Sequence, residues 1–198
     1  MSHPLIALAR ATVEDPRAAA RTVLGFGFPR SVLIEAAILV AVASVLLSGA
    51  MGLILPGDPV GPARQLAENP LLLALVFAVM LMLSALLVQV IGRLFGGEGT
   101  LDGALALMVW LQALMVAVQV VQLGLALLLP GLALLLGMVA IALFVWLFVN
   151  FVAELHGFAS LGMVFLGTLL SGFLVVLLMS FVLALFGLAP DAGDLGNV

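Results

Sequence analysis

The chain has 198 residues, of which 66% are hydrophobic and 8% charged, with a formal net charge of −4. A soluble domain is about 45–50% apolar and must leave much of its surface in water, so this composition excludes a water-soluble fold and points to lipid as the solvent. The absence of cysteine and the presence of only two histidines, His3 and His156, exclude disulfides, thiolate sites and a histidine metal cage. The acidic balance offers no basic surface for nucleic acid.

Residues 1–30 do not read as a secretory signal, because Arg10, Arg17, Arg21 and Arg30 interrupt them before any long apolar stretch begins. Leu5, Leu8, Ala9, Thr12 and Val13 recur at helical spacing, and Asp15-Pro16 is a cap followed by proline at the first position of a second short helix, which Gly25 is suited to end. Arg17 and Arg21 fall on one face of it. The segment is expected to be an amphipathic anchor on the cytoplasmic leaflet, with Arg10, Arg17, Arg21 and Arg30 as lipid-surface contacts, each adding about 1 kcal/mol near anionic lipid. The plainer alternative is that these arginines only set topology.

Crossing about 30 Å of hydrocarbon takes about 20 apolar residues. Stretches free of charged residues run over 36–57, 69–92, 103–153 and 155–190. The third is long enough for two helices and is broken by Pro130-Gly131. The fourth is broken near its start by His156-Gly157-Phe158-Ala159-Ser160, with Gly157 suited to a helix end and Ser160 to a helix start. The expectation is an all-α domain over 31–187 with five transmembrane helices at about 31–55, 70–95, 101–129, 131–155 and 161–187, followed by a short acidic tail over 188–198. Ser31, Thr100 and Asn69-Pro70 carry start signals, and Pro56-Gly57-Asp58-Pro59 closes the first span.

Five spans place Arg10, Arg17, Arg21, Arg30 and Arg93 on one face of the membrane and Arg64 alone on the other. The positive-inside rule then puts the N-terminus in the cytoplasm and the C-terminus on the opposite side. The use of arginine without lysine, with the richness in Ala, Leu, Gly and Val, hints at a GC-rich bacterial genome and an inner membrane.

Polar groups inside lipid are the first candidates for function. Glu35, Gln89, Asp102, Asn150 and Glu154 share a depth in the cytoplasmic-side third of the bilayer. They read either as a vestibule for a proton, ion or lipid headgroup, or as interhelical hydrogen bonds with the carboxylates reaching to water. Gln112, Gln119 and Gln122 lie on one stripe of the third span, as an amide lining or, more commonly, as links between helices. Ser44, Ser48 and Gly52 put small residues at every fourth position of the first span, which suits close packing or dimerisation. Trp110 and Trp146 lie at matching depth, roughly 13 Å from the cytoplasmic end, and are expected to pack in the core. His156 beside its turn reads as a cap. Gly96-Gly97-Glu98-Gly99-Thr100 lacks the lysine and preceding strand of a phosphate loop and reads as a tight turn.

Three stretches carry a family resemblance: Leu8-Ala9 with Asp15-Pro16-Arg17-Ala18-Ala19; Gly96-Gly97-Glu98-Gly99-Thr100 leading to Leu107 and Trp110-Leu111-Gln112; and Leu155-His156-Gly157-Phe158 before the last span. In these and in its five-span plan the chain resembles the Yip family, membrane proteins first named for interaction with Ypt/Rab GTPases, and looks like a bacterial branch. The chain departs from eukaryotic members in having only residues 1–30 before the first span and no tyrosine, so GTPase binding is not carried over, and neither are site residues.

The leading functional expectation is a non-enzymatic membrane protein that scaffolds partners or shapes the bilayer. Membrane lipids are its expected partners, along with a membrane protein or a second copy, and no cofactor is expected. A small transporter or channel using the polar cluster is the alternative. No nucleophile–base pair stands in the sequence to support an intramembrane enzyme.

Overall fold

The computed structural model describes residues 4–54 and 69–185, with side chains described through Phe173 and at Leu177. The described residues form seven helices and no strand: α1 (Pro4–Glu14), α2 (Pro16–Gly25), α3 (Arg30–Ile54), α4 (Pro70–Leu94), α5 (Leu101–Leu128), α6 (Pro130–His156) and α7 (Leu161–Leu185). The acidic tail, Arg64 and the Pro56–Pro59 signal lie outside the described residues.

The breaks follow local chemistry. Asp15 caps α2 by accepting from the Ala18 N–H at 3.0 Å, Asn69 caps α4 by accepting from Leu72 N–H at 3.1 Å, and Thr100 caps α5 by accepting from Gly103 N–H at 3.1 Å. Pro16 and Pro70 occupy first-turn positions, where the missing N–H is not needed. Only Leu129 separates α5 from α6, because Pro130 cannot continue α5 yet begins α6 at no cost. Gly157, at φ +71°, terminates α6 in the left-handed conformation that glycine adopts freely. Ser31 does not cap α3. The helix begins one residue earlier, at Arg30, and takes Ser31 into its first turn.

Helices α3, α4, α5 and α6 are each 25 to 28 residues long and apolar enough to cross a membrane. At 1.5 Å per residue they reach about 37–42 Å, more than the hydrocarbon thickness. Their outer surfaces are dense in exposed leucine, isoleucine, valine and methionine, which only a lipid environment tolerates. The chain is therefore an integral membrane protein.

Helices α1–α6 pack as one unit and α7 forms a second. In the first unit α5 is central, packing against α3, α4, α6 and α2. Its residues Ala104–Met108 are all buried, as are Val149–Ala153 of α6. Helix α2 closes this end of the bundle with a face of small side chains, Ala19, Ala20 and Val23, inside the core. In α7, Ser160 Oγ accepts from Met163 N–H at 3.3 Å, the start signal expected there.

Candidate functional site: the arginine-bearing end

The ends of α4 and α6 and the starts of α3 and α5 meet at one end of the bundle, with α2 laid against α5 and α6. Arg17 and Arg21, one turn apart on α2, both reach Glu154 of α6, at 2.9 Å to Oε2 and 3.1 Å to Oε1. Arg17 also donates to the Phe158 carbonyl at 3.0 Å. The Glu154 side chain is only 15% exposed, so two guanidinium groups compensate a carboxylate largely withdrawn from water. Arg30, at the start of α3, meets Asp102 of α5 at 2.6 Å in a half-exposed pair. Arg10 pairs with Glu14 along α1 and stays exposed.

A second fastening holds α1. Thr12 is fully buried, and its hydroxyl donates to the Leu8 carbonyl at 2.8 Å while accepting from the Trp110 indole N–H at 3.1 Å. One side chain thus satisfies the indole and ties the N-terminal helix to the side of α5.

The third element is His156. Its Nδ1 accepts from Gly99 N–H at 3.1 Å, and Nε2 faces the Val88 carbonyl at 3.2 Å. The pair of contacts requires the Nε2–H tautomer. Phe158 stacks on the ring, with centroids 5.5 Å apart. Gly92, Gly97 and Gly99 surround it so closely that a Cβ at Gly97 or Gly99 would stand 2.5 Å from the imidazole, and one at Gly92 closer still. The loop after α4 is therefore a socket for a side chain from the end of α6. The tight turn anticipated from Gly96–Thr100 is present, with Gly96 at φ +85°; the socket it builds was not anticipated. Glycines at 92, 97 and 99 after one apolar stretch and a histidine at the end of another were the available signal.

The five polar residues expected at one depth make no hydrogen bond to one another among the described residues. Glu154 and Asp102 are taken by arginines. Asn150 is buried and donates to the Trp146 carbonyl of its own helix at 2.8 Å. Glu35 is exposed on α3, and Gln89 is half-buried on α4. Two members of the amide stripe join helices: Gln112 donates to Ser44 Oγ of α3 at 2.8 Å, and Gln122 to the Ala133 carbonyl of α6 at 3.1 Å. Gln119 Oε1 is buried without a partner among the described residues. Trp146 does not pack in the core as expected: it is 43% exposed on the outside of α6. No group of three metal-ligating side chains occurs among the described residues.

A family model described as the Yip1 domain matches residues 10–186. The chain belongs to the Yip1-domain family. The match begins within α1 and runs past the end of α7, so the latch on Glu154, the Thr12–Trp110 bond and the histidine socket all lie inside the Yip1 domain. Comparison with curated proteins and with solved structures gave no match.

Proposed function

We propose that this Yip1-domain protein is a non-enzymatic, five-span component of a bacterial inner membrane that scaffolds membrane partners or shapes the bilayer from its arginine-bearing end. In this reading α7 is the fifth span, the N-terminus is cytoplasmic and the C-terminus lies on the opposite side. The observation that carries it is the covering of this end by α2, with α1 fastened beside it to the side of α5. Helix α2 is latched to Glu154, while α1 leaves Leu5 and Ile6 facing outward, an apolar surface that the rest of the unit does not use. The 25-residue length of α7 and its uniformly apolar sequence support the fifth crossing. Each carboxylate or amide of the polar cluster that has a partner finds it in an arginine or on its own helix and not in another member of the cluster, which favours a fastening role over a conduit for ions.

Crosslinking in native membranes followed by mass spectrometry tests the reading. Leu5→Glu with Ile6→Glu should deplete specific co-purifying proteins or lipids while the bundle still inserts. Unchanged recovery of every partner, or proton or ion flux through wild-type proteoliposomes above that of empty ones, overturns it. Tags at Met1 and Val198 should report opposite compartments.

A further inference from the structure

Helix α1 has three distinct faces. Leu8 and Thr12 meet the bundle, Arg10 and Glu14 form an exposed ion pair, and Ala9 and Val13 look down over a cleft between α5 and α6. That cleft, about 280 Å³ and open to the outside, is lined only by apolar side chains, among them Leu114 and Val118 of α5 and Leu143 and Leu147 of α6. The Thr12–Trp110 bond fixes the height of this arrangement, because Trp110 lies nine residues into α5, roughly 13 Å from its start.

An exposed arginine–glutamate pair does not rest in hydrocarbon, where a single charge costs about 2.5–3.5 kcal/mol even on the most lenient scales. Water or headgroups must therefore reach down to α1, and so to the level of Trp110. Trp146, on the neighbouring helix at matching depth, is exposed to the outside there, which is how indoles sit at a membrane surface. Helices α5 and α6, at 28 and 27 residues, are longer than a crossing needs, and α2 packs against both. Below α1 the cleft continues into the exposed apolar surface of the two helices, Val121 and Val139 included. A void of this size against α1 loses dispersion contacts unless something apolar fills it.

We infer that on this side of the bundle the bilayer surface meets the protein at Trp110 and Trp146, with α1 as a shelf at headgroup level, and that an acyl chain of one phospholipid occupies the cleft beneath it. The headgroup then lies beside the Arg10–Glu14 pair. The inference does not depend on the scaffolding role proposed above. It requires only that the chain sits in a bilayer.

The two tryptophans are the only ones in the chain and there is no tyrosine, so intrinsic emission reports this level directly. The full-length protein is reconstituted into phosphatidylcholine vesicles brominated either near the carbonyl end of the chain or near its methyl end. Quenching should be stronger from bromines near the carbonyl end; equal or stronger quenching from the methyl end overturns the placement. For the cleft, the protein is purified in mild detergent from the same vesicles and weighed by native mass spectrometry. Wild type should retain one phosphatidylcholine, and Ala117→Phe, which puts a phenyl ring into the cleft from an exposed position, should lose it at unchanged helical content. A wild type that carries no lipid, or an Ala117→Phe variant that carries as much as wild type, overturns the lipid site.

Discussion

The two halves of the bundle are made from the same apolar residues and are held in different ways. Toward the arginine-bearing end, α5 and α6 each have five consecutive buried residues, Ala104–Met108 and Val149–Ala153, so every side of the helix meets protein. Toward the other end, Leu132, Leu134, Leu135 and Met138 of α6 face outward. Burial on all sides of a helix requires neighbours on all sides, and α2 supplies the missing one. Lipid completes the rest. Where protein does the enclosing, polar anchors are present, namely Glu154, Asp102, Thr12 and His156. Where lipid does it, the polar groups are the amides of α5 with Ser44 and Ser48 of α3, and the Asn69 cap of α4.

Substitutions can break this contrast or sharpen it. The largest effect is expected from Phe151→Ala, which empties a fully buried site among α2, α5 and α6 and should cost about 3–5 kcal/mol, read as the unfolding midpoint in mixed micelles by circular dichroism. Next stands Gly92→Ala, whose methyl group collides with the imidazole and should destabilise by about 1–3 kcal/mol. In combination with His156→Ala the collision is relieved, so the double variant should be more stable than the sum of the single losses; strict additivity would remove the socket from the account.

Glu154→Gln comes third. It leaves Arg17 and Arg21 without their carboxylate and should cost about 1–3 kcal/mol, with protease access to the α1–α2 segment rising in parallel. If protection is unchanged, the latch is not what holds α2. A final pair sets the two halves directly against each other and contains the smallest effect of all. Met108→Ala, at a site 7% exposed, should cost about 2 kcal/mol or more, whereas Met138→Ala, 69% exposed to the lipid side, should fall within about 0.5 kcal/mol of wild type. Equal losses would mean that the far half is enclosed by protein too.

The four long apolar helices of the first unit were legible because they rest on local chemistry. Charge-free length, Pro130 and the caps at Asn69 and Thr100 act within a few residues of where they stand in the chain. The arrangement at the arginine-bearing end was only partly legible. Arg17 and Arg21 were recognised as sharing a face, and Glu154 as costly in lipid, yet 137 residues separate Arg17 from Glu154 and no local pattern pairs them. Thr12 and Trp110 are 98 apart, and Gly99 and His156 are 57 apart. Helices that are apolar on every side carry no periodicity to say which face is inward, which is why Trp146 was expected in the core and is found outside.

The single residue between α5 and α6 has a mechanical consequence. With Leu129 alone as the joint, neither helix has slack to slide or turn without drawing the other along, so the hairpin responds as one stiff fork. A pull on α2, transmitted through Glu154 to the tip of one prong, is felt by the other prong and by the α3 and α4 helices that grip it.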